Sequence, residues 1–228
     1  MSVDLIGDGI ALRSKGDILT HDGTAPISIS PGTDGQILSA QSSATSGLVW
    51  VTANTAITNN DFVLISSSRL TTTASQIEFS SITQGYRDLM IIFQGRDNYN
   101  TASSFLGIRL NNDTSTAYRY PHVMFISNTV TAYNSDADTA GGLIRGAVTG
   151  STANANSFGC AVAYISQYSN SSIKKGFMAY GGAPLSTGTV NTMGGLSPMT
   201  SAITSVQLIP YAATLFSTGT YAALYGVR

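Results

Sequence analysis

Four carboxylates, Glu78, Asp88, Asp97 and Asp113, are the residues of this 228-residue chain with the clearest catalytic potential. Two carboxylates that flank a glycosidic bond hydrolyse it, one as general acid and the other as base or nucleophile. Clefts that bind sugar chains usually carry several Trp side chains, whereas this chain has a single Trp. We interpret the four acids as turn caps and ion-pair partners of nearby arginines, and we predict that the protein is not an enzyme.

The sequence contains few of the residues that nucleophilic catalysis or metal binding requires. His21 and His122 stand far apart, Cys160 is the only cysteine, and no Gly-x-Ser-x-Gly motif occurs. A thiolate metal cluster and an internal disulfide need more than one cysteine, and a serine triad would require His21 or His122, neither of which lies in a recognisable motif. Asp136 and Asp138 have the spacing to share a hard cation, but their segment lacks the remaining acidic ligands. The sequence therefore predicts no catalytic residue, no metal ion and no cofactor.

The composition predicts strands rather than helices. Glu occurs once and Lys three times, and charged residues make up only 10% of the chain. Surface helices normally draw on Glu and Lys, whereas Thr, Tyr, Val and Gly favour strands and turns. A net charge of −1 argues against nucleic acid, because phosphate binding relies on Lys and Arg. No apolar stretch approaches membrane-spanning length, so we predict an all-β protein with neither a nucleic-acid nor a membrane partner.

Residues 1–52 read as a β module that is too fragmentary to fold alone. Turn signals such as Asp22-Gly23 and Asp34-Gly35 separate very short apolar segments. Strands this short cannot close a core within one chain, so we expect them to interdigitate with copies from other chains. The residues predicted at this trimer interface are Ile18, Leu19, Ile27, Ile29, Ile37, Leu38 and Trp50.

The rest of the chain has a different pattern. Residues 53–60 are polar and without periodicity, which predicts a linker. Residues 61–228 contain longer apolar or alternating runs separated by segments rich in Asn, Ser, Asp and Gly, including Phe105 to Leu110 with its alternating faces. About nine or ten such runs predict an antiparallel β-sandwich of jelly-roll type.

Tyrosine is the most abundant residue that is suited to surface recognition. An aromatic ring can pack on the C–H face of a sugar while amide and carboxylate groups bond its hydroxyls. The same groups suit contact with a protein, and a half-buried strand residue with a wet hydroxyl is the simpler interpretation for any single tyrosine. The candidate ligand-binding residues lie in or beside polar segments and are Tyr99, Tyr118, Tyr120, Tyr133 and Tyr168.

The early part of the sequence resembles a module of tailed-bacteriophage fibre and virion-decoration proteins. The resemblance runs from Lys15 to Trp50 and consists of Gly16-Asp17-Ile18-Leu19, Asp22-Gly23-Thr24, Asp34-Gly35-Gln36-Ile37-Leu38 and Gly47-Leu48-Val49-Trp50. It implies a trimeric, interdigitated β-structure at a fibre or attachment region. Scattered motifs of the second region, Tyr86 to Ile92, Ile108 to Asp113 and Ala223 to Arg228, resemble the jelly-roll domains of virion fibres.

These resemblances imply a structural protein of the bacteriophage virion. The expected protein is a short homotrimeric fibre or spike whose outer β-sandwich recognises a receptor or glycan of the host surface without catalysis. The alternative is a capsid-decorating head fibre or cement protein with a purely structural role, and a polysaccharide-degrading enzyme is the least favoured hypothesis. The expected partners are two further copies of the chain, other virion proteins of capsid or tail, and a host-surface glycan.

Overall fold

The computed structural model describes residues 12, 14–52, 61–115, 118–134, 136–138, 141–185, 188–197, 199–211 and 213–228. Every regular element in these ranges is a β-strand, and none of the described residues is helical. The all-β prediction is therefore confirmed. The chain divides into two compact units, Met1–Asn60 and Asp61–Arg228. The predicted linker, 53–60, lies outside the described residues.

The first unit consists of two β-hairpins. Strands β1 (Ile18–His21) and β2 (Pro26–Ile29) form one, and β3 (Gln36–Ala40) and β4 (Leu48–Thr52) form the other. The turn between β1 and β2 contains Gly23 at φ 96°, a backbone conformation that suits Gly because it has no Cβ. No described residue of this unit is buried.

Fourteen strands form the second unit. They are β5 (Phe62–Arg69), β6 (Ile77–Phe79), β7 (Asp88–Gly95), β8 (Ser103–Leu110), β9 (Tyr118–Arg119), β10 (His122–Ile126), β11 (Thr129–Tyr133), β12 (Asp136–Asp138), β13 (Gly142–Thr149), β14 (Gly159–Ile165), β15 (Gly176–Ala183), β16 (Thr189–Leu196), β17 (Val206–Pro210) and β18 (Tyr221–Val227). The large sheet runs in the order β11-β10-β16-β15-β14-β7-β18-β5, with β9 and β12 paired at its side, and the small sheet runs β13-β8-β17-β6.

Eight of these strands have the connectivity of a jelly roll. One four-stranded layer is β5-β18-β7-β14 and the other is β6-β17-β8-β13, with antiparallel pairing throughout. The chain passes back and forth between the layers from β5 to β8, stays in the small sheet for β13, and returns through β14, β17 and β18. This arrangement of eight strands in two sheets confirms the predicted jelly-roll β-sandwich.

Two insertions enlarge only one of the layers. Strands β9 to β12 lie between β8 and β13 in the chain, and β15 and β16 lie between β14 and β17. All six join the large sheet, where β15 extends the layer beyond β14. The large sheet thus becomes much wider than the standard layer of a jelly roll.

The core lies between the two sheets and follows the alternation of side chains along the strands. Leu106, Ile108 and Leu110 of β8 all point inward and are buried, as the sequence pattern predicts. The apolar run of β7 is continuous rather than alternating, yet only every second side chain of it is buried. Leu89, Ile91 and Phe93 are buried in the core, whereas Ile92 faces outward and stays exposed. A strand with two apolar faces is typical of a sheet covered on both sides, but here one side is open.

Candidate ligand-binding site

The five candidate tyrosines fall into two groups. Tyr118, Tyr120 and Tyr168 are buried in the core of the second unit. A buried ring has no face to offer a ligand, so these three leave the candidate set. Tyr99 and Tyr133 remain partly exposed, each at 36%.

The buried tyrosines fix the ends of loops through their hydroxyl groups. The Tyr118 hydroxyl lies 3.2 Å from the backbone nitrogen of Leu110, whose N–H donates to it. Burial raises the pKa of Tyr118 to about 12, so the ring stays neutral. The Tyr168 hydroxyl donates to the carbonyl oxygen of Thr83, which lies far away in the chain. The polar neighbours of these residues in sequence give no sign that the rings point inward.

Tyr133 belongs to a set of stacked rings, which we call the aromatic ladder. Its ring lies 4.8 Å from that of His122 at an interplanar angle of 14°, and His122 in turn lies 6.2 Å from the ring of Tyr120. The guanidinium carbon of Arg145 sits 5.2 Å from the centre of the Tyr133 ring and 4.9 Å from that of Phe105. Such cation–π contacts hold Tyr133 in place at the rim of the sandwich.

Two polar side-chain atoms, one in the aromatic ladder and one beside it, make no hydrogen bond within the described part of the chain. Among the described residues, the buried Nε2 of His122 and the buried Nε of Arg145 have no hydrogen-bond partner. Burial lowers the pKa of His122; the hydrogen bond with the Tyr120 carbonyl opposes the shift, and the charge of Arg145 adds to it. The imidazole is therefore neutral at pH 7, next to a guanidinium cation. Both atoms are buried, so the part of the ladder that a ligand can reach is the Tyr133 ring. An exposed aromatic ring of this kind can pack on the C–H face of a sugar.

Tyr99 lies at a loop cluster that Arg96 holds together. The two terminal nitrogens of Arg96 donate to four carbonyl oxygens, those of Ser151, Ala153, Asn154 and Ser157, at 2.8 to 3.3 Å. The carbonyl oxygen of Tyr99 accepts from the backbone nitrogen of Ser151 at 2.7 Å.

A buried carboxylate supports the same loop. Asp97 accepts from the backbone N–H of Tyr99 at 3.0 Å and from the hydroxyl of Ser104. Burial raises the pKa of Asp97 despite these bonds. Tyr99 thus projects from a loop whose backbone is fixed, which lowers the entropy cost of binding a ligand.

The other acids considered for catalysis are occupied within the fold. Asp88 accepts from Arg87 Nε at 2.6 Å, from the backbone nitrogen of Gln167 at 2.7 Å and from the Tyr164 hydroxyl. Asp113 accepts from Ser115 at 2.9 and 3.0 Å, and Glu78 accepts from Gln76 at 3.0 Å. These contacts agree with the interpretation of the acids as structural partners.

Burial alone raises the pKa of Asp88. Its hydrogen bonds with Tyr164, Gln167 and Arg87 outweigh that effect, and the net pKa lies below the ordinary value of 3.8. Arg87 is the neighbour of Asp88 in the chain, whereas Tyr164 and Gln167 come from the end of β14 and the segment that follows it. The predicted ion pair of Asp88 with a nearby arginine is confirmed by its contact with Arg87. Sequence reasoning missed the contacts with Tyr164 and Gln167, for which no local signal exists.

Lys175 is a second structural residue that the sequence did not single out. It is fully buried, and its Nζ donates to the carbonyl oxygens of Ile173 at 2.7 Å, Thr200 at 2.9 Å and Asn170. Burial lowers its pKa. The ammonium group thus joins two loops by satisfying three backbone acceptors. Lys174 next to it is exposed, and nothing in the local sequence distinguishes the two lysines.

The seven residues predicted at the trimer interface all keep solvent-accessible surface in the single chain. Leu19 and Ile37 are exposed, and the other five are partly buried. Trp50 donates from its indole nitrogen to the carbonyl oxygen of Ser30 at 2.8 Å, and Thr20 donates to that of Ser46 at 3.0 Å. Polar contacts of this kind connect the two hairpins in place of an apolar core. The interface itself stays a prediction.

The described residues contain no group of three or more His, Cys, Asp or Glu side chains that could hold a metal ion. The side chains of Asp136 and Asp138 lie outside this description. Among the described residues we find no helix that is long and apolar enough to cross a membrane. No family model, curated protein or solved structure matches the chain.

Proposed function

We propose that this chain is a structural protein of the bacteriophage virion, a short homotrimeric fibre or spike that recognises the host surface without catalysis. The observation that carries the proposal is the first unit, in which no described residue is buried. Its strands present Ile, Leu and Trp side chains to solvent, and a fold of this size needs to bury apolar surface. Further copies of the same unit would complete its core.

The second unit supports the same proposal at the level of the fold. Eight-stranded jelly rolls are common in viral capsid proteins and in lectins, which together correspond to display on a particle and to sugar binding. This support is an analogy between folds, because the same architecture hosts many functions. Ligand recognition therefore has to be inferred from the residues of the site.

Two exposed tyrosines are the proposed recognition residues. Tyr133 offers its ring beside Arg145, and Tyr99 projects from a loop whose backbone is fixed by Arg96 and Asp97. A pyranose ring packs well on such faces, and nearby polar groups bond its hydroxyls. We infer that a host-surface glycan is the ligand and that it binds without covalent chemistry.

A glycan array with the full-length protein tests recognition, and light scattering of the same sample tests assembly. We expect a trimer that binds a subset of glycans, and a roughly tenfold weaker signal for Tyr133→Ala or Tyr99→Ala. Phe62→Ala is the matched control, because Phe62 is an exposed aromatic residue of β5, at the opposite edge of the large sheet from β11. A monomer would contradict the trimer, and binding that neither variant weakens would contradict the assignment of the site.

The burial of Tyr118, Tyr120 and Tyr168 favours a second candidate function. With these rings in the core, fewer aromatic residues are left for ligand contact, as a purely structural capsid-decorating head fibre or cement protein would require. Binding of the full-length protein to empty capsids, without a signal on the glycan array, would support this alternative.

A further inference from the structure

The outer side of the large sheet carries a continuous apolar surface, which we call the outer apolar face. It is formed by β11, β10, β16, β15, β14 and β7, on the side away from the small sheet. Its most exposed side chains are Met178 at 66%, Val130 at 61%, Tyr180 at 60% and Val190 at 56%.

The strand register shows that this surface is contiguous. One row across the sheet is Val130, Phe125, Val190, Gly182, Cys160 and Gln94, and the next is Ala132, Val123, Thr192, Tyr180, Val162 and Ile92. None of these twelve residues is charged. Tyr133 follows Ala132 in β11 and therefore projects from the opposite side of the sheet. The proposed glycan site nevertheless adjoins the outer apolar face, because one depression is bordered by Tyr133 as well as by Val123, Ala132 and Met178.

The sequence of the strands indicates that this face is covered in the assembled protein. In β7, apolar residues occupy the outward positions Met90 and Ile92 as well as the inward ones. Strands that are apolar on both sides are typical of sheets buried on both faces. A depression of about 320 Å³ on the face, bordered by Ile92, Val162, Tyr180 and Val190, offers room for apolar side chains of a partner.

The size of the face is sufficient for a subunit interface. Six strands about 4.8 Å apart, with outward residues over roughly 20 Å of each strand, make a surface on the order of 600 Å². Contiguous exposed apolar patches of this size mark interaction sites. A neighbouring subunit that covers this face with an equal area of its own surface would bury on the order of 1,200 Å² in total, which is the lower limit for a specific and stable interface.

We propose that a neighbouring copy of this chain packs on the outer apolar face. Interfaces between copies of one chain are more apolar than interfaces between different proteins, and the two rows of the face lack the charged groups that would select a foreign partner. The inference rests on the proposed function, in which the first units hold the copies together. Linked copies reach each other at a high effective concentration, so the face meets a copy before any other partner.

The single cysteine of the chain reports directly on this contact. Cys160 lies in the first row of the face and is exposed in the single chain. The rate at which a maleimide modifies its thiol in the full-length protein therefore measures whether the face is covered. We expect slow modification in the wild-type protein and roughly tenfold faster modification in Tyr180→Lys, because a buried unpaired charge disfavours the contact.

Matched variants keep the experiment interpretable. Tyr211→Lys makes the same exchange at an exposed position that follows β17 of the small sheet, and it should leave the wild-type rate unchanged. Val190→Lys replaces Tyr180→Lys if the latter fails to show a cooperative unfolding transition. A fast wild-type rate overturns the inference, and so does a slow rate that neither face variant raises.

Light scattering of the same samples separates this inference from the proposed function. A wild-type trimer with a slow thiol supports both, and a trimer with a fast thiol overturns the inference alone. A dimer with a slow thiol supports the contact and overturns the trimeric proposal. A monomer with a slow thiol means that no second copy covers the face, which overturns the inference.

Discussion

Single buried polar residues hold the loops of this sandwich at fixed positions. Asp88 joins Arg87, Tyr164 and Gln167, and Lys175 gathers three backbone carbonyls. Each group offsets its own desolvation through several hydrogen bonds at once. Removal of one such residue breaks several partly buried hydrogen bonds at once, and that loss is larger than the contribution of an ordinary surface ion pair.

We expect Asp88→Asn to lower the free energy of unfolding by about 2 kcal/mol at neutral pH, because an amide cannot accept all the bonds of the carboxylate. The folded-state pKa of Asp88 is lowered, so its contribution is present above the ordinary pKa of 3.8 and is lost as pH falls through the folded-state pKa. The variant should therefore lose less stability than the wild type on acidification.

Urea unfolding at neutral pH and at about pH 3 measures both effects. Asp61→Asn serves as the control, because Asp61 is exposed and the substitution should change little. Equal stability of Asp88→Asn and the wild type at neutral pH would show that the cluster makes no net contribution.

We expect Lys175→Met to cost about 3 kcal/mol, because it leaves three carbonyl acceptors without the ammonium that they share. Lys174→Met is a control at the neighbouring position, where the side chain is exposed. Denaturant unfolding of the two variants measures the difference. Similar free energies of unfolding for both would refute a structural role for the buried ammonium.

At the scale of the element, an irregularity in β13 sets the direction of its side chains. The register against β8 shifts between Arg145, which pairs with Phe105, and Val148, which pairs with Ser104. Gly146 stands within the shift at φ 70°, as glycine does in many bulges. The bulge lets Arg145 reach the aromatic ladder while Val148 fills the core.

We expect Gly146→Ala to destabilise the second unit by about 3 kcal/mol. A Cβ at this position would lie 2.4 Å from Cγ2 of Thr189 in the opposite sheet, and positive φ adds backbone strain. Gly188→Ala is the control, because Gly188 has φ 56° with open space around it, so only the backbone cost of about 1 kcal/mol applies. Thermal unfolding compares them, and equal losses would exclude the steric effect.

At the scale of the whole molecule, the two units differ in how far they bury their apolar side chains. The second unit encloses a core between two sheets, with Leu106, Ile144 and Leu208 completely buried. The first unit has short hairpins and no buried residue among those described. In the proposed trimer, association supplies the burial that this unit lacks, so we expect its assembly and folding to be coupled.

We expect Trp50→Ala to convert trimers into monomers or insoluble chains, because the largest apolar side chain of the first unit is lost from the proposed interface. Trp50→Phe keeps an aromatic side chain and removes the indole N–H that donates to Ser30, so it should retain the trimer. Light scattering after size exclusion measures the outcome. Unchanged trimers of Trp50→Ala would argue against an anchoring role for this residue.

The sequence determined the features that depend on local chemistry. A scarcity of Glu and Lys together with alternating apolar runs led to an all-β chain, and the runs around Leu106 and Leu89 led to the layers of a jelly roll. Asp-Gly pairs marked the turns correctly, as Gly23 with its positive φ confirms. These features can be predicted from the sequence because periodicity and turn conformation depend on residues that are neighbours in the chain.

Tertiary structure alone decided which side chains meet and which faces remain open. Tyr118 and Tyr168 have polar neighbours in sequence but point into the core, and the partners of Asp88 include Tyr164 and Gln167 from a distant strand and loop. The outer apolar face exists because two insertions widened one sheet and not the other. Such features arise from contacts between residues far apart in the chain, and no local pattern records them.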